Sequence, residues 1–365
     1  MSDFASLHVG DPAPWFRQRC TTPQGQYSFD MVAGRYVLMF LFRSGADPRT
    51  EAALNAVRRH RALFDGQHLT FFGVSADAGD EMRLQPEQPG IRFLWDGDGL
   101  VGRLYGSRGL SASAPADTGL WYLIDPMLRV RGVYQDVPGL ADKLLSAVEQ
   151  LPPLDDPDLP IPALMLPDVF EPEFSQRLIR YYEASSSVPS GIYTEDPTGT
   201  SRAVLDNSFK RRRDCVLRDR ALVQQVQARI IRRVVPEIRK VFQFEATQLD
   251  RLILASYDAS DRGCFGPHRD NTVKATEHRR FAVSINLNQE FEGGELMFPE
   301  FGRRTFRPPA GGAIVFSCGL MHAVTPVTAG RRLACLPFVY DDAAAKLKQA
   351  NKKDVADAAG TNTAA

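Results

Sequence analysis

Residues 151–162, LPPLDDPDLPIP, hold five prolines within a dozen positions. Proline fixes its own φ and has no amide hydrogen to donate, so neither a helix nor a central strand survives such spacing. This stretch constrains the chain more than any other. It reads as a linker, and the sequence on each side must build its own core. With 365 residues, the chain is long enough for two domains.

The two sides carry different periodicities. Before the seam, RYVLMFLF (35–42) is a continuous apolar run that reads as a buried strand, and TEAALNAVRRHRALF (50–64) has helical spacing. LTFFGVSA (69–76) is again a strand. GLWYLID and RVRGVYQ read as a strand pair, and GLADKLLSAVEQL (139–151) as an amphipathic helix. This alternation predicts an α/β sandwich around a central sheet over residues 1–150. After the seam, residues 172–184 and 221–242 have helical patterns. From Gln248 the pattern changes to short strands punctuated by glycine and proline: QLDRLILASY, RRFAVSINLN, GELMFP, GGAIVFS, MHAVTPV and RRLACLPFVY. Such spacing predicts a β-sandwich or jelly roll over residues 163–340. The expected fold class is therefore a two-domain α+β chain. Residues 341–365 have no aromatics and many small and charged residues, and are expected to be a frayed helix or disordered.

Composition narrows the function classes. Lysine plus arginine and aspartate plus glutamate are equal at 44 each, so no global field points to nucleic acid or an anionic membrane. No apolar run reaches the ~18 residues of a membrane span. The opening MSDFASLHVGDPAP lacks the basic stretch and apolar core of a secretory signal. The five cysteines (20, 215, 264, 318, 335) are scattered, with no CxxC pair. Free thiols and the absence of a leader predict a cytoplasmic location.

The chemistry concentrates in CFGPHRDN (264–271). His268 and Asp270 are two apart, so on an extended segment their side chains share a face. His322 lies 54 residues downstream, at the start of a predicted strand. Two histidines and a carboxylate on one face of an ion leave three adjacent positions open, the facial triad of non-haem Fe(II) oxygenases. A closed structural zinc would want four ligands, commonly cysteines, and the pattern does not offer that set. Arg331 and Arg332 follow on the strand after TPVTAG. A guanidinium's planar fork suits a carboxylate, and alternation lets only one of the pair face inward.

Two resemblances add to this reading. The segments VGDPAPWF, GRYVLMFLFRSGADPRTEAALNAV and TGLWYLIDPMLRVRGVY resemble a peroxiredoxin, a thioredoxin-fold peroxidase, over roughly residues 7–150. Aligned on Thr50 and Glu51, that family's catalytic cysteine falls on Pro48, and Cys20 lies upstream in an expected loop. A proline offers no thiolate, so this half is expected to be a scaffold or docking domain. The segments SYDASDRGCFGPHRDN, FAVSINLNQEFEGGELMFPEFG and GGAIVFSCGLMHAVTPVTAGRRLA resemble the catalytic domain of 2-oxoglutarate/Fe(II)-dependent dioxygenases of the prolyl 4-hydroxylase type, whose fold is a double-stranded β-helix. This second resemblance covers about residues 160–340.

That resemblance implies that His268, Asp270 and His322 hold Fe(II) and that Arg332 pairs with the distal carboxylate of 2-oxoglutarate. Tyr257 matches a pocket-lining tyrosine, and Asn286 a pocket position that some members fill with tyrosine. The implied reaction is hydroxylation of an unactivated C–H bond with O₂ and 2-oxoglutarate consumed and succinate and CO₂ released, with ascorbate as an accompanying reductant. In related halogenases a small residue replaces the carboxylate, so Asp270 favours hydroxylation. The substrate is expected to be a peptide residue, an amino acid or a small metabolite. Self-association through the first domain stays open. So do two other functions: an oxygen or redox sensor without catalysis, and a thiol peroxidase using Cys20.

Other features read as structural. KRRRD (210–214) is expected to be a solvated basic face, and His278 a solvated loop residue. His8, His60 and His68 have no partners at ligand spacing. Cys264 and Cys318 flank the site without being needed as ligands. The polar segment 185–208 is longer than a usual connection, and by the resemblance it covers the substrate entrance.

Overall fold

The computed structural model describes residues 7–21, 25–106, 119–154, 159–196, 199–250 and 252–355. The chain divides into two compact units, Met1–Leu159 with Pro299–Arg303, and Pro160–Phe298 with Arg304–Ala365. The division falls within the proline-rich stretch, of which residues 155–158 lie outside the described residues.

The first unit is a thioredoxin-like sandwich. Its seven strands run across the sheet as Gln26–Ser28, Arg17–Cys20, Ile91–Trp95, Leu69–Ser75, Tyr36–Phe42, Leu120–Ile124 and Val130–Gln135. The three strands Tyr36–Phe42, Leu69–Ser75 and Ile91–Trp95 are parallel, and the last two in the order pair antiparallel. Every residue of Tyr36–Phe42 is buried, which explains its unbroken apolar run. The following helix, Pro48–Arg59, starts where Asp47 accepts hydrogen bonds from the Arg49 and Thr50 amides. Pro48 occupies its first position, where a missing N–H costs nothing. Cys20 departs from expectation. It is the last residue of a strand, pairs with Leu94 and is buried, because the chain enters the sheet there, between Gln26–Ser28 and Ile91–Trp95, rather than looping past it.

The second unit is a jelly roll with supporting helices. Its larger sheet places Arg213–Val216, Ile253–Asp258, Val327–Cys335, Phe281–Asn286 and Ala313–Ser317 side by side, all antiparallel. A smaller sheet carries Lys210–Arg211, Cys264–His268, His322–Val324, Leu296–Met297 and Thr305–Phe306. Alternation divides the larger sheet's two faces. Leu254, Val283, Ile285, Val315, Leu333 and Cys335 pack with the helices Pro172–Ala184, Arg220–Arg233 and Val235–Phe242 into one apolar core. The intervening positions, Tyr257, Ser284, Asn286 and Arg332, turn to the opposite face.

Several local expectations change. The helical pattern 221–242 is two helices, because Pro236 lies in the first turn of Val235–Phe242 and cannot donate into a continuous ladder. QLDRLILASY is likewise two strands, Gln248–Asp250 and Ile253–Asp258. The segment 185–208 contains a hairpin of Ile192–Glu195 with Ser201–Val204; its residues 197 and 198 are outside the described set. The tail, expected to be a frayed helix or disordered, begins with a helix, Asp342–Asn351, capped by Asp341 and tied by Lys348 to Asp250 at 2.5 Å. Residues 356–365 of that tail lie outside the described residues.

His278 is 3% exposed, not solvated, with its Nε2 3.4 Å from Asp250 Oδ2 and its ring against Tyr340. The run KRRRD alternates. Lys210, Arg212 and Asp214 are buried and Arg213 is exposed, because these residues pass from the edge strand of the smaller sheet into a strand of the larger one instead of lying on a helix face.

Candidate metal and co-substrate site

His268 ends the strand Cys264–His268, and His322 begins the neighbouring strand His322–Val324 directly opposite it. Asp270 follows His268 by two residues, its amide donating to Cys318 O at 2.9 Å. The Asp270 carboxylate lies 3.6 Å from His268 Nε2 and 3.4 Å from His322 Nε2. One ligand atom from each residue fits within a 4.8 Å span, the one group of three or more such side chains among the described residues. His8, His60 and His68 belong to no such group.

Both histidines are turned by backbone carbonyls. His268 Nδ1 sits 2.8 Å from Gly266 O, and His322 Nδ1 3.1 Å from Leu320 O. A hydrogen on each Nδ1 leaves each Nε2 lone pair facing Asp270, the tautomer that a metal ligand requires. Burial, then the neighbouring His268, pushes the His322 pKa down to about 4, which keeps its imidazole neutral. Burial raises the Asp270 pKa, but His322, His268 and Arg279 outweigh it and hold the carboxyl well below its usual range. Two imidazoles and one carboxylate, converging with His322 buried and His268 and Asp270 half-buried, fit a divalent first-row metal. Phe265 stacks on the His268 ring at 3.5 Å, and Phe316 packs edge-on to His322 at 4.6 Å. These rings limit water at the ligands. Cys264 and Cys318 are buried thiols outside the ligand group.

Arg332 lies in the strand Val327–Cys335, paired across the sheet with Tyr257. It is 2% exposed, whereas Arg331 points outward and pairs with Glu183 at 2.9 Å. Arg332 Nε donates to Asn286 Oδ1 at 3.0 Å, and its Nη2 to Ser284 Oγ at 2.8 Å. Its guanidinium carbon is 5.5 Å from the centre of the Tyr257 ring. Asn286 is held in turn by donating to Pro308 O at 2.8 Å. No carboxylate pairs with Arg332 among the described residues. Burial lowers its pKa; Tyr257 works against this, while Arg212 and Arg307 add to it. A buried cation with neutral partners is costly unless a ligand supplies the anion. The residue environment thus fits a carboxylate ligand.

Sequence reading missed three neighbours. Ser284 orients Arg332, and Phe265 covers His268. Arg212 reaches the site from the basic run: its guanidinium carbon is 5.9 Å from both the Tyr257 and Phe265 ring centres. Ser284 and Phe265 were legible only as alternate positions on strands already matched. Nothing in a run of charges separates Arg212 from its exposed neighbours.

The family model of the 2OG-Fe(II) oxygenase superfamily matches residues 252–340. A PKHD-type hydroxylase of Azoarcus sp. (strain BH72) is 34% identical over 89 residues, 22% of this chain and 39% of that relative. The chain therefore spans well under two thirds of the length of the curated relatives it matches. Among solved structures, a Pseudomonas putida prolyl-4-hydroxylase is similar over 49% of this chain and 91% of its own, at 16% identity and a TM-score of 0.36. A Plasmodium vivax 2-Cys peroxiredoxin is similar over 39% of this chain and 97% of its own, at 15% identity and a TM-score of 0.32. The matched segment contains His268, Asp270, His322 and Arg332, and the second unit of this chain carries a 2OG-Fe(II) oxygenase domain.

Proposed function

We propose that the chain is a 2-oxoglutarate- and Fe(II)-dependent dioxygenase that hydroxylates an unactivated C–H bond of an organic substrate, releasing succinate and CO₂. The observation that carries this reading is the convergence of His268, Asp270 and His322, with both imidazoles turned by backbone carbonyls. These three residues would hold Fe(II), which with O₂ and 2-oxoglutarate supplies the oxidising chemistry when bound. Arg332 would grip the distal carboxylate of 2-oxoglutarate, its fork aimed by Asn286 and Ser284. Tyr257 lines the same pocket. Asp270 keeps a protein carboxylate at the metal, which suits hydroxylation rather than halide transfer. Phe265 and Phe316 keep water from the histidines. A peptide residue, an amino acid or a small metabolite suits this chemistry, and ascorbate is the reductant to supply in assays.

The first unit acts in this reading as a scaffold. A peroxidase needs a thiolate at a helix start, and here that position is Pro48 while Cys20 is buried in a strand. The test is anaerobic reconstitution with Fe(II) and 2-oxoglutarate, then exposure to O₂ with candidate peptides, amino acids and metabolites. A product heavier by one oxygen, formed with stoichiometric succinate, supports the proposal. Succinate release uncoupled from any product across a broad screen would favour a sensor, and no succinate at all would refute the reading.

A further inference from the structure

Arg212 belongs to a polar row that crosses the larger sheet. It precedes the strand Arg213–Val216, which pairs with Ile253–Asp258, and Tyr257 pairs in turn with Arg332. Three neighbouring strands therefore bring Arg212, Tyr257 and Arg332 into succession on the face away from the helices.

The two arginines differ in charge balance. Arg332 has no carboxylate among the described residues. Arg212 has one at ideal geometry: its Nε and Nη2 reach the two oxygens of Asp214 at 2.7 Å each. Ser190 completes the clamp, donating to Asp214 Oδ2 at 2.6 Å and accepting from Arg212 Nη2 at 3.0 Å. Arg212 is thus neutralised and held rigidly, which makes it a poor receiver for a second anion. What it leaves over is Nη1, which faces the Tyr257 hydroxyl at 3.5 Å, the long end of hydrogen-bonding range.

A phenol has one hydrogen to give and can accept as well. With Arg212 as donor, the Tyr257 oxygen accepts and its own hydrogen must point elsewhere. Tyr257 is 2% exposed, and among the described residues its hydroxyl makes no hydrogen bond besides the one from Arg212. A buried donor left unspent beside an uncompensated Arg332 marks the place of a ligand oxygen.

We propose that Arg212, clamped by Asp214 and Ser190, is a positioning residue that commits Tyr257 to donate its hydroxyl hydrogen to 2-oxoglutarate. This rests on the reading of Tyr257 and Arg332 as the co-substrate pocket. Arg212 acts entirely through the Tyr257 hydroxyl, and a charged donor behind that hydroxyl makes it a stronger donor in front.

The test is a double-mutant cycle read by calorimetric titration of 2-oxoglutarate into the full-length, Mn(II)-loaded protein under anaerobic conditions. Tyr257→Phe removes the hydroxyl. Arg212→Met with Asp214→Leu removes the ion pair without stranding a buried carboxylate, and Arg212→Lys keeps the pair but withdraws the second arm should that double change fail to fold. Each is expected to weaken 2-oxoglutarate roughly three- to tenfold, the scale of one hydrogen bond. In the Tyr257→Phe background the Arg212 changes should cost nothing further, and Mn(II) affinity should stay at the wild-type level. Losses that multiply would overturn the proposal. So would wild-type affinity after the Arg212 changes, or a parallel fall in Mn(II) affinity. If the wild type itself binds Mn(II) but not 2-oxoglutarate, the reading of the pocket falls, and this inference with it.

Discussion

Arg331 and Arg332 are adjacent and chemically identical, yet one pairs with Glu183 at the surface and the other is buried beside Tyr257. The period of a strand is the whole cause. On the proposed reading, replacing Arg332 with glutamine removes a charge-assisted contact to the 2-oxoglutarate carboxylate, worth about 1.5–3 kcal/mol. The apparent KM for 2-oxoglutarate should therefore rise at least roughly tenfold, with metal affinity little changed. Arg331→Gln removes an exposed pair worth about 1 kcal/mol or less and should leave that KM alone. Steady-state kinetics on the two variants decides the matter, and equal behaviour would contradict the assignment. The convergence of His268, Asp270 and His322 and the inward turn of Arg332 were legible in the sequence because these residues sit at fixed offsets within strands that glycine and proline delimit. Arg212 was not, because a run of four cations reads as a solvated face. Only the passage of that run from one sheet into the other turns alternate residues inward.

At the scale of the element, turns and strand ends decide where these side chains point. Gly294 has φ +63°, and a Cβ there would meet Val327 Cγ2 at 2.8 Å and the Arg332 side chain at 3.4 Å. Gly294→Ala should thus cost stability by about 1–3 kcal/mol, through left-handed strain and crowding together. It should also weaken 2-oxoglutarate, since the displaced Val327 lies on the strand that carries Arg332. Thermal unfolding and ligand titration of one variant test both parts.

The tail helix supplies a second case at this scale. Lys348 from that helix and His278 share the Asp250 carboxylate, a contact no sequence pattern announced because its three partners lie far apart in the chain. Burial, opposed by Asp250, lowers the His278 pKa below its ordinary 6.5. A histidine depressed in the folded state binds protons less readily than in the unfolded chain. Its contribution is present above about pH 6.5 and is lost as the pH falls below that. His278→Gln should therefore flatten the fall in melting temperature between neutral and mildly acidic pH. An unchanged slope would show that His278 does not titrate differently on unfolding.

For the whole molecule, the proline-rich stretch foretold two cores, and each has a distinct architecture. The first unit keeps a thioredoxin-like sheet but presents Pro48 at the helix start, with Cys20 buried in the sheet. Cys20→Ser should leave 2-oxoglutarate turnover unchanged and abolish no peroxide reduction, which peroxide-consumption kinetics would check. Among the described residues, no helix is long and apolar enough to cross a membrane. The central claim is that one constellation, His268, Asp270 and His322, binds Fe(II) and supports 2-oxoglutarate turnover. Its most direct test is anaerobic Fe(II) titration of the wild type and of Asp270→Ala, followed by admission of O₂ and measurement of succinate. The account predicts a single tight Fe(II) site and succinate formation in the wild type, with both lost in Asp270→Ala while the fold is retained. Succinate formed by Asp270→Ala at the wild-type rate would contradict it.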